Sequence, residues 1–144
     1  MLAYRNTVMA RIRPGVTSQQ VLEGVKAAMD PVFARTKFSE PIDEQAAQKL
    51  VDSSGGIFSH PVGMAVHDDS DYHGTLKREH AFSIDPQLRV PEENRYLRYE
   101  GVIVITDKGY ENFTDFLPTQ LDDIEKMVGR GGILLTAPPD RPVK

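Results

Sequence analysis

The sequence predicts an α+β fold, with helices in its first part and antiparallel strands in its second. Apolar residues recur at helical spacing through the first fifty positions. From residue 80 onward, runs of β-branched and aromatic residues replace that pattern. A further helical pattern follows these runs. Because helices and strands do not alternate, a parallel βαβ arrangement is not indicated.

An apolar residue at every fourth position predicts a first helix over residues 2–12. The second helix is predicted to follow a capping box, formed by Thr17 and Gln20. Its apolar face would carry Val21, Val25, Ala28 and Met29. Pro31 should end or kink this helix, because proline lacks the backbone N–H that the interior of a helix requires.

Two shorter helices complete the prediction. The third helix spans about 43–51, with Asp43 as its N-cap. The last helix spans about 120–128 and would turn three apolar residues inward, namely Leu121, Ile124 and Val128.

The strand region is predicted to contain one strand over 80–90 and a longer one over 95–106. Gly101 lies inside the longer run and indicates a bulge or a close approach of another group to the backbone. A tight turn then leads into 109–113, so this segment and the longer strand should form a hairpin.

Composition narrows the class of protein. The chain has 144 residues, 40% of them apolar, which suits a single domain with a substantial core. The net charge is −4 and no Lys/Arg block exists, so nucleic acid is not an expected partner. No apolar run is long enough for a membrane span or a signal core. With no cysteine, disulfides and thiolate sites are excluded, and a cytoplasmic location is expected.

Candidate metal ligands lie in the strand half. His60 and His67 flank the core of "SHPVGMAVHDD", while Asp85 and Glu100 lie in the two predicted strands. Imidazole with carboxylates suits Zn, Mn, Co or Fe(II), and such a site can activate water. His67 can carry a proton near neutral pH. Spacing alone is also compatible with three alternatives that involve no metal. The histidines could simply pack beside a sheet, Asp85 could form a turn, and Arg98 and Glu100 could form a plain ion pair.

A family resemblance adds to these patterns. The segments "SHPVGMAVHDD", "LKREHAFSIDPQL" and "RYLRYEGVIVITDKGYENFT" resemble, in order, the C-terminal core of the pita-bread metallopeptidases. This family includes Xaa-Pro aminopeptidases, prolidases, methionine aminopeptidases and creatinase. The match covers about residues 4–128, and "VHDD", "DPQLRVPEE" and "LPTQLDDIEKM" are most similar to the proline-specific branch.

The resemblance implies the C-terminal half of the pita-bread fold, with helices packed on a curved antiparallel sheet. Residues 1–144 would be one partial catalytic domain that lacks the N-terminal half, with 129–144 as a loose tail. The implied enzyme is a metallopeptidase, an aminopeptidase or Xaa-Pro dipeptidase, that hydrolyses the bond before a proline in the second position of a peptide. It would use water activated by a divalent metal pair of Mn, Co or Zn.

The resemblance also assigns roles to residues. His60, Asp85 and Glu100 match metal ligands, His67 matches the catalytic and substrate-binding histidine, and Arg98 matches an arginine that supports the ligands. Two further aspartates, which the family carries on an upstream hairpin, have no counterpart here. We therefore expect the isolated chain to be inactive and to bind metal weakly or not at all.

Truncation also predicts self-association. The sheet edge and apolar surface that the absent half would cover should be exposed, so we expect a homodimer or a higher oligomer. Two other functions share this scaffold. One is a non-catalytic module that binds peptides or proteins, and the other is a creatinase-type amidinohydrolase.

Overall fold

The structure is a computed structural model that describes residues 1–52, 60–65 and 74–128. His67 and the predicted tail 129–144 lie outside these ranges. The α+β class is confirmed, since the described chain contains helices and antiparallel strands. It divides into two compact units, Met1–Thr114 and Asp115–Lys144, so the prediction of a single domain stays a prediction.

Three helices open the first unit: α1 (Leu2–Met9), α2 (Ser18–Arg35) and α3 (Pro41–Asp52). The first ends at Met9 rather than at residue 12, although Ile12 is buried as its apolar spacing predicts. The predicted capping box is confirmed. The backbone N–H of Gln20 donates to Thr17 Oγ1 (3.2 Å), and that of Thr17 donates to Gln20 Oε1 (2.9 Å).

Two predicted helix boundaries are wrong. Pro31 does not end α2, which continues to Arg35 because Val32 and Phe33 beyond the proline still pack against the core. The alternative, a kink at Pro31, stays a prediction. Asp43 is not an N-cap, because α3 begins two residues earlier with a proline, a residue that suits the first helical position. The Asp43 side chain instead accepts a hydrogen bond from Arg95 (2.8 Å).

Five strands form two antiparallel sheets. They are β1 (Ala81–Ile84), β2 (Gln87–Val90), β3 (Arg95–Arg98), β4 (Gly101–Ile105) and β5 (Tyr110–Asn112). One sheet has the order β1-β4-β5, and the other pairs β2 with β3. The single strands predicted over 80–90 and 95–106 are therefore wrong, because each is interrupted and passes from one sheet to the other.

The two interruptions lie opposite each other. Ile84 pairs with Gly101 at the end of the first sheet, and Gln87 pairs with Arg98 at the start of the second. The residues between them are Asp85-Pro86 on one chain segment and Tyr99-Glu100 on the other. Proline cannot donate to a strand ladder, which explains the break at Pro86. Asp85 and Glu100 are thereby brought to the same junction between sheets.

The predicted hairpin is confirmed in a shorter form. Ile103 pairs with Asn112 and Ile105 with Tyr110, and the turn closes through Thr106 N–H donating to the Gly109 carbonyl (3.0 Å). Gly101 has the predicted close neighbour. A Cβ at that position would lie 2.7 Å from Thr114 Oγ1.

The core of the first unit lies where its helices pack against the three-stranded sheet. Alternate residues of β1 and β4 supply the sheet side of this core, namely Phe82, Ile84, Ile103 and Ile105. The helices supply residues at the predicted spacing, including Tyr4, Val8, Val21, Val25 and Met29. Helix α3 also contacts β2, so the helices pack against both sheets.

The described part of the second unit contains one helix, α4 (Leu121–Val128). Leu121, Ile124 and Val128 were expected to face inward, and this prediction is wrong: no α4 residue is buried, and Leu121 and Val128 are 65% and 67% exposed. Their spacing does define one apolar side of the helix. Over the same residues, no helix has the length and apolar character needed to cross a membrane.

Candidate functional site at the junction between the sheets

The candidate site lies where β1 and β4 leave the three-stranded sheet. His60 reaches it because residues 60–62 run along the free edge of β1. The Ser83 N–H donates to the His60 carbonyl (2.9 Å), and the Val62 N–H donates to the Ala81 carbonyl (2.9 Å). This antiparallel contact places His60 opposite Ser83, two residues before Asp85 in the sequence.

Asp85 is fully buried, with 0% of its surface exposed. Its Oδ1 accepts a hydrogen bond from Arg98 Nε (2.6 Å), and its Oδ2 accepts one from Gln87 Nε2 (2.8 Å). A buried carboxylate is tolerated only when it is paired and hydrogen-bonded. Both oxygens meet that requirement here.

Arg98 joins the two carboxylates of the junction. Its Nε donates to Asp85, while its Nη2 lies 2.9 Å from Glu100 Oε2. The hydrogen bond to Asp85, more than the charges nearby, raises the pKa of Arg98 above its usual value. The plain Arg98–Glu100 pair left open by the sequence is thus present, but the link to Asp85 was not predicted.

His60 contacts Glu100 from the other side. Its Nε2 lies 3.6 Å from Glu100 Oε1, and its Nδ1 lies 3.1 Å from the Pro61 carbonyl oxygen. A carbonyl oxygen only accepts hydrogen bonds, so this contact favours the tautomer with the proton on Nδ1.

The three predicted ligands therefore belong to one contact network, in which Glu100 touches both His60 and Arg98, and Arg98 touches Asp85. Their nitrogen and oxygen donors suit a divalent metal ion. In the structure, Asp85 and Glu100 both bind the Arg98 cation, with which a metal ion would have to compete. Within residues 1–52, 60–65 and 74–128, no three His, Cys, Asp or Glu side chains are gathered closely enough to hold a metal.

Gln87 is the residue of this network that the sequence did not single out for a role. Its amide donates to Asp85, and its Oε1 in turn accepts from Arg89 (2.6 Å). Its position two residues after Asp85 is the only sequence signal, since such residues share a side of an extended chain. Pro86 lies between them and obscures that signal.

Of the comparisons with known proteins, the one with solved structures bears on the fold. No protein-family profile and no curated protein matches the sequence. Solved structures do match. Aminopeptidase P II of Yersinia pestis is 27% identical with a TM-score of 0.57, over 87% of this chain and 32% of its own. The Pseudomonas aeruginosa aminopeptidase is 18% identical with a TM-score of 0.60, over 90% and 33%.

Aminopeptidase P of E. coli, in its low-pH form, is 26% identical with a TM-score of 0.59, over 87% of this chain and 32% of its own. The chain thus spans about a third of the length of these enzymes. Other E. coli structures are described as zinc-substituted with bound product, or as a variant in complex with substrate. In each of these cases at least 87% of the chain superposes on part of an aminopeptidase P structure, so the chain has the fold of part of a pita-bread enzyme and is similar to the aminopeptidases P.

Proposed function

We propose that this chain is part of a metal-dependent Xaa-Pro peptidase of the aminopeptidase P or prolidase type. The observation that carries the proposal is the junction between the sheets. There, on a fold shared with aminopeptidase P, His60 and Glu100 lie 3.6 Å apart and Arg98 links Glu100 to Asp85.

In the whole enzyme, His60, Asp85 and Glu100 would hold a pair of divalent ions, for which we propose Mn, Co or Zn. Such ions, when bound, lower the pKa of water and polarise a carbonyl. The contribution of this chain is to fix the donors. The sheet edge places His60, the junction places both carboxylates, and Arg98 and Gln87 hold Asp85 in one orientation.

His67 is proposed to contact the peptide substrate and to stabilise the charge that develops on the scissile carbonyl oxygen. A histidine suits this role because its imidazole can donate a hydrogen bond and change its proton occupancy near neutral pH. The substrate would be a peptide with proline in the second position.

The isolated chain is proposed to be inactive. It supplies three of the five ligands that the family resemblance implies, and Arg98 already neutralises two of those three. A metal would have to compete with this internal cation, so binding should be weak. A cytoplasmic location also stays part of the proposal.

Metal titration tests the ligand assignment. Mn²⁺ binding, followed by electron paramagnetic resonance, should be weak but saturable, and should be lost in Glu100→Gln and His60→Gln. Glu111→Gln is the matched control, because Glu111 lies exposed on β5 of the same sheet. A loss of Mn²⁺ binding in the control equal to the loss in the two ligand variants would contradict the assignment.

An assay with an Xaa-Pro dipeptide and an Xaa-Pro-Xaa tripeptide, with Mn²⁺, Co²⁺ or Zn²⁺ added, tests inactivity. We expect no turnover, and rapid hydrolysis would show that three ligands suffice. The coding sequence upstream of Met1 offers a separate test. An in-frame hairpin with an Asp-x-Gly pattern there would supply the two remaining ligands.

One observation favours a second candidate, a non-catalytic module that binds peptides or proteins. Both oxygens of the buried Asp85 are hydrogen-bonded, one by Arg98 and one by Gln87, so its burial is compensated by protein groups alone. Calorimetry with an Xaa-Pro tripeptide in the presence of EDTA separates the two functions. Tight binding that added Mn²⁺ does not change supports the module, whereas binding that requires Mn²⁺ supports the peptidase.

A further inference from the structure

A cavity of about 550 Å³ lies apart from the candidate metal site, between the loop that follows α1 and the first two turns of α2. Its size is typical of pockets that bind small molecules, which run from about 300 to 1,000 Å³. None of the residues that line it takes part in the network around Asp85 and Glu100. A ligand here would therefore be separate from the proposed peptidase chemistry.

The lining of this cavity is positively charged. It contains Arg11 and Arg13 and no carboxylate. Neither arginine forms an ion pair within the described ranges of the chain. Arg11 is half-buried, and one of its terminal N–H groups donates to the Thr7 carbonyl (2.9 Å). A guanidinium has five N–H donors, so most of the donors of Arg11 remain available to a ligand.

Arg11 is held in position by helix α2. Its side chain lies directly against Gly24, where an added Cβ would come within 2.9 Å of Arg11 Nε and 3.1 Å of its Cδ. A methyl group at position 24 would therefore require the Arg11 side chain to move. The hydrogen bond to Thr7 fixes the other side of the group, so Arg11 is organised before any ligand arrives.

The loop that carries Arg13 is also fixed. Gly15 adopts a φ of +86°, a conformation that glycine accepts without strain, and its N–H donates to the Leu76 carbonyl (2.9 Å). The capping box already uses the N–H groups of Thr17 and Gln20. Among the side chains that line the cavity, the charged donors that remain for a ligand are those of the two arginines.

We propose that this cavity binds a small molecule through a phosphoryl group. The cavity is lined by two guanidinium groups and by no carboxylate. Its charge therefore favours a ligand that carries two negative charges. The planar fork of arginine matches the oxygens of a phosphate in a bidentate arrangement. The source is either free phosphate or a small phosphate monoester, and the cavity has room for both.

The test is titration of the complete chain with inorganic phosphate and, separately, glycerol phosphate, followed by ¹H–¹⁵N NMR at constant ionic strength. Both should give saturable shifts at loop and α2 amides. Stronger binding of glycerol phosphate would identify an ester as the ligand, and equal binding would identify the phosphate group alone. Either result supports the proposal, and shifts that grow linearly with concentration overturn it.

Variants localise the site. Arg13→Gln and Arg11→Gln should each weaken binding about tenfold, in line with the loss of a charged hydrogen-bonding pair. Gly24→Ala should also weaken it, because the new methyl group displaces Arg11 while alanine keeps the helix stable. Arg35→Gln, an exposed arginine at the far end of α2, is the matched control. Unchanged affinity in both arginine variants, or an equal loss in the control, overturns the proposal.

Discussion

At the scale of single residues, Arg98 is the decisive group of the candidate site. It satisfies a carboxylate that is completely buried and pairs with a second that is partly exposed. It is the one arginine or lysine that contacts either carboxylate in the described part of the site. The same arginine therefore stabilises the junction and opposes metal binding there.

Replacing Arg98 by glutamine should lower the thermal midpoint of unfolding, because buried Asp85 would keep only the Gln87 amide as a partner. The double variant Asp85→Asn with Arg98→Gln should unfold at a higher temperature than Arg98→Gln alone, since a neutral amide needs no cation. Circular dichroism during heating measures both effects.

Arg78→Gln is the control, because the ion pairs of Arg78 with Glu79 and Asp107 are exposed and should contribute little. If Arg98→Gln unfolds at the same temperature as the unmodified chain, the pairing with Asp85 does not stabilise the fold.

Tyr4 gives a second prediction at this scale. Its hydroxyl is buried in the core and has no hydrogen-bond partner among the described residues. Tyr4→Phe should therefore raise the free energy of unfolding by about 1 kcal/mol, since an unsatisfied buried polar group is removed. Urea denaturation at pH 8 measures this change, and a loss of stability would contradict it.

The same residue predicts a dependence on pH. Burial raises the pKa of Tyr4 above the value of about 10 that tyrosine has in an unfolded chain. Above that pH the unfolded state loses the proton while the folded state retains it, so stability is complete below about pH 10 and falls as the pH rises further. Raising the pH from 8 to 11 should lower the free energy of unfolding of Tyr4→Phe less than that of the unmodified chain, as measured by urea denaturation. An equal loss of stability at pH 11 in Tyr4→Phe and in the unmodified chain would contradict the assignment to Tyr4.

At the scale of elements, the most important feature is the paired interruption of two strand segments. The connections from β1 to β2 and from β3 to β4 lie opposite each other, and they contain Asp85 and Glu100 respectively. An unbroken strand would have kept each acid within a ladder. At the junction, both acids instead contact Arg98.

Gly101, the first residue of β4, is required by the close approach of Thr114. Gly101→Ala should destabilise the fold by about 1–3 kcal/mol, the usual range for overpacking. Adding Thr114→Ala removes the atom in conflict and should recover part of the loss. Urea denaturation gives the values, with Gly109→Ala as the control because nothing lies within 4 Å of its added methyl group. Equal losses at Gly101 and Gly109 would contradict the packing argument.

At the scale of the whole molecule, the chain corresponds to about a third of the solved enzymes it resembles. Apolar side chains are exposed on β3, where Tyr96 and Leu97 have 50% and 51% of their surface accessible. Exposed apolar groups on an open two-stranded sheet favour association.

We therefore expect a homodimer or higher oligomer in solution. Size-exclusion chromatography with light scattering should give a mass of at least two chains that falls on dilution. Leu97→Lys should shift the population toward the monomer, whereas Leu121→Lys, an equally apolar exposed site on α4, should not. A monomer at all concentrations would contradict self-association, and dissociation only by Leu121→Lys would contradict the assignment to β3.

Local patterns in the sequence determined the fold class, the capping box of α2, the buried faces of α1 and α2, and the β4–β5 hairpin. These features depend on spacing and on near neighbours, which the sequence records directly. The motifs around residues 60, 85 and 100 also predicted the fold that the solved structures confirm.

Only the tertiary structure decided where the strands break and which partner satisfies Asp85. Strand pairing joins residues that are distant in sequence, so the alignment of the two interruptions has no local signal. The exposure of α4 was missed for the related reason that an apolar spacing defines a face without specifying what packs on it. Arg98 lies two positions from Glu100 but thirteen from Asp85, and its contact with Asp85 exists because the β2–β3 register brings the two chain segments together.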